Sequence, residues 1–172
     1  RTLVLFTSYR QLRSTVEEIG PRLAGAGITV LEQGEGGSRA QLLDKFRGGE
    51  NAVLFGTRSF WEGVDVAGAA LSCVIIVRIP FAVPSEPIFA ARCETFEDPF
   101  NEYAVPEAVL RFRQGFGRLI RSKNDRGAIV VLDKRILSKQ YGQAFVLALP
   151  RCTTERGPIA NMAVRVVRWV NG

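Results

Sequence analysis

Ala52-Val53-Leu54-Phe55, followed at once by Gly56-Thr57-Arg58-Ser59-Phe60-Trp61-Glu62-Gly63-Val64-Asp65-Val66-Ala67-Gly68, is the stretch on which the fold turns. The first four residues form a short, unbroken apolar run, and the thirteen after it read as a polar, glycine-rich loop. A strand that alternates apolar and polar residues buries one face; a continuous run is buried on both, as in a parallel sheet covered by helices. Four more runs share this character: Leu3–Phe6, Ile28–Leu31, Cys73–Val77 and Ala128–Leu132.

The segments between the runs have helical spacing. Leu12, Val16, Ile19 and Leu23 fall on one face before Gly25-Ala26-Gly27, a helix-ending signal. Ser38 reads as the N-cap of a helix over Arg39–Phe46 that turns Leu42, Leu43 and Phe46 inward, stopped by Gly48-Gly49. Pro80 to Pro87 is a stiffened loop leading to a helix near Ile88–Phe96. Further helices are expected over Ser138–Leu149 and from about Pro158 to Val170, the last with Ile159, Met162, Val166 and Val170 on one face. Strand–helix alternation of this kind predicts an α/β, doubly wound domain with a central, mostly parallel sheet flanked by helices. At 172 residues one domain is expected.

Composition narrows the function. Net charge is +6 and the isoelectric point about 9.7, which suits a polyanionic partner, though charge alone is equally met by a merely basic surface. Cys73, Cys93 and Cys152 are scattered and there is no histidine. Histidine catalysis is therefore excluded, and neither a metal site nor a disulfide framework is expected. Reduced thiols point to a cytoplasmic protein. The apolar runs are too short to span a bilayer and no signal pattern opens the chain, so no membrane partner is expected. The chain opens inside what reads as a strand, Leu3-Val4-Leu5-Phe6, so Arg1 reads as a cut in a longer protein.

Two segments carry chemistry. In the first, a helix running to Gln114-Gly115-Phe116-Gly117-Arg118-Leu119-Ile120-Arg121, Ala108, Phe112, Phe116, Leu119 and Ile120 share one side at about 100° per residue. Arg111, Gln114, Arg118 and Arg121 gather opposite, a face that reads as purely cationic, without acidic partners four residues away. Such a face usually means solvation; unneutralised, it also suits a phosphoryl group, whose dispersed charge matches planar guanidinium groups. Gly115 and Gly117 each cost roughly 1 kcal/mol within a helix, which predicts close packing of another backbone. The second segment is the Gly56–Gly68 loop, which would lie at the carboxyl end of its strand, where open parallel sheets bind ligands. No Gly-x-x-x-x-Gly-Lys-Ser/Thr run occurs, so the chain has no phosphate-binding loop of its own.

In order, Leu3–Tyr9, Gly56–Gly68 and Gln114–Gly127 resemble motifs IV, V and VI of the XPD/DinG helicases of superfamily 2. The similarity is closer to the bacterial DinG-like members through Ser59-Phe60-Trp61-Glu62-Gly63-Val64-Asp65, Arg78-Ile79-Pro80-Phe81, and Gln114 to Arg121 followed by Asp133-Lys134-Arg135. It covers nearly the whole chain and is weakest beyond Pro150. The resemblance implies that residues 1–172 form the second RecA-like domain of an ATP-dependent DNA helicase with 5′ to 3′ polarity. ATP and Mg²⁺ would be shared with a first motor domain of the same protein, which in many members also holds an iron–sulfur cluster. Carried over by motif, Arg118 and Arg121 would be arginine fingers and Gln114 would face the triphosphate. Gly63 and Asp65 would contact nucleotide, with Glu62 coordinating the two sites. Thr7, Ser8, Tyr9, Thr57 and Arg58 would meet phosphates of single-stranded DNA. Phe60 reads as core and Asp133 with Arg135 as a structural ion pair; Tyr9 and Trp61 are divided between core and base stacking. Two other classes compete: a non-enzymatic nucleic-acid-binding module, and a self-contained enzyme using Asp65 and Glu62.

Overall fold

Each of the five apolar runs becomes a strand in the computed structural model, which describes residues 1–35, 37–61, 71–117, 119 and 126–171. The strands are β1 (Thr2–Leu5), β2 (Thr29–Glu32), β3 (Ala52–Gly56), β4 (Cys73–Ile76) and β5 (Ala128–Val131). They form one sheet in the order β2-β3-β1-β4-β5, and every pairing is parallel. The side-chain period of two then sorts the core into two layers. Leu3, Leu5, Leu54, Val74 and Ile76 point to one face, Val4, Phe6 and Phe55 to the other.

Helices cover both faces, as continuous apolar strands require. Helix α1 (Tyr9–Gly25) lays Leu12, Val16, Ile19 and Leu23 over the Val4–Phe6–Phe55 side. The other side carries α2 (Arg39–Gly48), whose Ser38 and Gln41 form a reciprocal capping box, and α5 (Val105–Phe116). The short helices α3 (Arg58–Trp61) and α7 (Gly142–Leu147) complete that layer through Phe60, Trp61 and Phe145, all nearly inaccessible to solvent.

Several elements differ from the expected pattern. Helix α4 is shorter than expected, Pro87–Cys93. A π-helical turn, Phe100–Ala104, runs directly into α5. The helix expected over Ser138–Leu149 is two pieces, α6 (Arg135–Ser138) and α7, because Lys139 is extended at φ −109° and ψ 146°. Helix α8 (Ile159–Asn171) packs along β5, donating from Trp169 Nε1 to the Gly127 carbonyl at 3.0 Å. Met162, Val166 and Val170 are half-buried as expected, whereas Ile159 is exposed. Among the described residues no helix is long and apolar enough to cross a membrane.

The candidate site at the carboxyl edge of the sheet

Parallel strands deliver all their carboxyl ends to one edge, and among the described residues Thr7, Ser8, Tyr9, Thr57, Asp133 and Arg135 emerge there. The end of β1 leads into Thr7 and Ser8, both exposed, and then into α1. Ser8 is the N-cap, accepting from the Gln11 amide at 3.5 Å, and Tyr9 stands 48% exposed. At the end of β3, Gly56 gives way to Thr57 and α3. A β-carbon at Gly56 would come within 2.7 Å of the Phe60 ring, so only glycine lets this helix fold back tightly onto the strand.

Of the three aromatics weighed between core and surface, two are core. Phe60 is fully buried; Trp61 is 2% exposed and donates from Nε1 to the Phe6 carbonyl at 3.3 Å. Tyr9 is the one that faces solvent. Thr57 is buried, and its backbone N–H and hydroxyl both donate to Gln33 Oε1, at 2.6 and 2.9 Å. Neither donor points outward, so any part Thr57 takes at this edge runs through Gln33. The amide of Gln33 in turn donates from Nε2 to the Tyr9 hydroxyl and to Ser59 Oγ, the latter at 2.8 Å. One side chain at the end of β2 thus ties the ends of β1 and β3 together. Sequence reading missed Gln33; its signal was position, a polar residue immediately beyond the carboxyl end of a strand.

Helix α5 requires two corrections. Its face is not purely cationic: Arg111 pairs with Glu107, one turn earlier, at 2.6 Å, with both side chains largely shielded. The Glu-x-x-x-Arg spacing was present in the sequence, and four-residue separation is what brings such groups together. The helix also stops at Phe116, with Gly117 as C-cap, rather than running through Arg121. Gly115 does mark a close approach, but of a side chain: a β-carbon there would meet the Trp61 ring at 3.0 Å. Gly117 has no such neighbour among the described residues. Gln114 is half-buried, and its Oε1 has no hydrogen-bond donor among the described residues.

Asp133, at the end of β5, closes the far side of the edge. Its carboxylate accepts from the Ile79 amide at 3.0 Å and holds Arg135 at 2.6 Å, and Arg135 lies over the Phe81 ring. Burial alone would raise its pKa; the bonds from Arg135 and the Ile79 amide outweigh that and bring it to about 2. The expected ion pair is present. Arg118, Arg121, Glu62, Gly63 and Asp65 lie outside the described residues, as does the side chain of Arg58.

A doubly wound, all-parallel sheet with its polar residues gathered at the carboxyl edge defines a RecA-like α/β domain. An apo XPD structure has the same fold, with a TM-score of 0.63 at 22% identity over 91% of this chain and 32% of that one. The chain belongs to the helicase C-terminal domain family, whose sequence model matches residues 1–152. It is 46% identical to the 3′-5′ exonuclease DinG of Bacillus subtilis over 155 residues, covering 87% of this chain and 17% of that protein. It is 43% identical to the ATP-dependent DNA helicase YoaA of Escherichia coli over 154 residues, covering 87% of this chain and 24% of that protein. The chain therefore spans about a fifth of the curated relatives it matches.

Proposed function

We propose that this domain is the second motor half of an ATP-dependent DNA helicase, working across a cleft from a first motor domain of the same protein. The observation that carries the reading is the common edge: motif IV and V residues meet there around Gln33, and α5, which carries the opening residues of motif VI, Gln114 to Phe116, packs beside α3. Family membership supplies the class, and E. coli YoaA carries the activity in its name. The B. subtilis relative is named as an exonuclease; this chain matches only a sixth of it, through a segment that belongs to a helicase family.

In this reading ATP is the substrate, its Mg²⁺ and most of its binding contacts supplied by the partner domain. Arg118 and Arg121 stabilise charge that develops on the transferring phosphoryl group. Gln114 faces the triphosphate; its Oε1 is buried and has no donor among the described residues. Glu62, Gly63 and Asp65 serve the nucleotide. Thr7, Ser8, Tyr9 and Arg58 grip the backbone of single-stranded DNA, with Thr57 behind them.

The test is Arg121→Ala in the protein that carries both motor domains. An arginine finger is worth roughly 10³–10⁵ in rate, about 4–7 kcal/mol, expressed only in the transition state. Single-turnover hydrolysis should fall by that order while ATP affinity stays within about tenfold. Arg121→Lys should fail nearly as badly, since an ammonium lacks the planar fork. Near-normal hydrolysis in Arg121→Ala would remove it as a finger and favour a solvated arginine on a nucleic-acid-binding module.

A further inference from the structure

The hydrogen bonds around Gln33 have a determined direction. A backbone N–H only donates, so the atom that the Thr57 amide meets must be the Gln33 oxygen. That oxygen also takes the Thr57 hydroxyl proton, which fills both its lone pairs. The remaining end is the NH₂ group, and its two protons go to the Tyr9 hydroxyl and to Ser59 Oγ. Tyr9 and Ser59 therefore accept from Gln33, and each keeps its own proton for another acceptor. Both residues are exposed, side by side at the ends of β1 and β3.

From this we infer that Gln33 is a positioning residue that makes Tyr9 and Ser59 a pair of outward hydroxyl donors for one phosphodiester of a single strand. The inference rests on the proposed grip on DNA and adds Ser59 to it as a contact. A phosphodiester offers only acceptors, so it matches a pair of donors whose sense is fixed in advance, and preorganisation of this kind lowers the ordering cost of binding. The pair reads backbone and not base. Ordinary hydroxyls can turn either way; these two are committed by the amide behind them.

The experiment measures binding of a fluorescent oligothymidylate to the chain by anisotropy. In the wild-type background Tyr9→Phe and Ser59→Ala should each weaken binding about threefold to tenfold. Gln33→Glu keeps both Thr57 bonds but turns the other end into an acceptor, drawing the two hydroxyl protons inward. In that background Tyr9→Phe and Ser59→Ala should each change affinity less than about twofold, because their donors are already lost; a merely structural role predicts undiminished, additive losses. Inorganic phosphate at matched ionic strength should not displace the oligomer; displacement would assign the donors to free phosphate and overturn the inference. If Gln33→Glu fails to fold, the two single variants still decide: binding undiminished in both overturns it. A wild-type chain that does not bind the oligomer at all defeats the DNA-gripping reading, and the inference with it.

Discussion

Alanine at position 115 would favour the helix and crowd its neighbour. Exchanging a helical glycine for alanine gains roughly 1 kcal/mol of propensity, but here the new carbon would press on Trp61 at 3.0 Å and approach Leu5 at 3.6 Å. Trp61 has no room to yield, being 2% exposed and tied through Nε1 to Phe6. Overpacking of this sort costs about 1–3 kcal/mol, so Gly115→Ala should be destabilising by about 1 kcal/mol net in urea unfolding. Gly117 is the control two residues on. Its φ of −63° suits any residue and its nearest neighbours among the described residues would be 3.6 Å away, so Gly117→Ala should be neutral or stabilising by up to about 1 kcal/mol. Equal costs at both positions would refute the packing account. Such single-residue detail is what the sequence conveyed least well. Two glycines in one helix looked alike, and only the position of Trp61 separates them.

Between elements, Asp133 is the tie that holds the end of β5 to the loop after β4. Its folded pKa, about 2, lies below the ordinary 3.8. A carboxylate depressed by folding adds stability that is complete above about pH 4 and is lost as pH falls through about 2. Asp133→Asn keeps an oxygen for the Ile79 amide but gives up the charge that holds Arg135. It should lower stability at pH 7 by about 1–2 kcal/mol and flatten the acid limb between pH 4 and 2. Urea titrations across that range check it; an unchanged acid limb would show that this carboxylate is not the group responsible. This was the scale at which the sequence spoke most clearly. Five unbroken apolar runs became five parallel strands, and the faces expected of α1 and α2 are the buried ones, because burial on a regular repeat leaves a local trace. Glu107, the acidic partner of Arg111, also left a local trace, its four-residue spacing. Gln33 left almost none: its partners lie 24 and 26 residues away, and only strand order brings them together.

For the molecule as a whole, the proposed division of labour has a direct consequence. The chain carries motif VI arginines but no Gly-x-x-x-x-Gly-Lys-Ser/Thr run, and phosphoryl transfer depends almost wholly on positioning and electrostatics. By itself it should show no DNA-stimulated ATP hydrolysis above a mock preparation. It should still bind single-stranded DNA weakly and without sequence preference, given a net charge of +6. Only a cation that neutralises a phosphate releases counterions, so Arg58, the cation in the proposed grip, should make log affinity fall with log salt by about 0.7. Measurable turnover by the pure chain would overturn the half-motor reading; salt-insensitive binding would overturn the backbone grip.

The strand order also sets a timetable for synthesis. β1 lies inside the sheet, and its two neighbours are β3 and β4, with Thr2 opposite Val53 on one side and Cys73 on the other. Neither neighbour exists until about fifty more residues have left the ribosome. At roughly 5–20 residues per second, that is about 3–10 s in which Leu3-Val4-Leu5-Phe6 has no strand to lie against. A hairpin would have sheltered it at once; an all-parallel order does not allow one. The nascent chain thus carries, for seconds, an apolar segment that is among the most deeply buried in the finished fold.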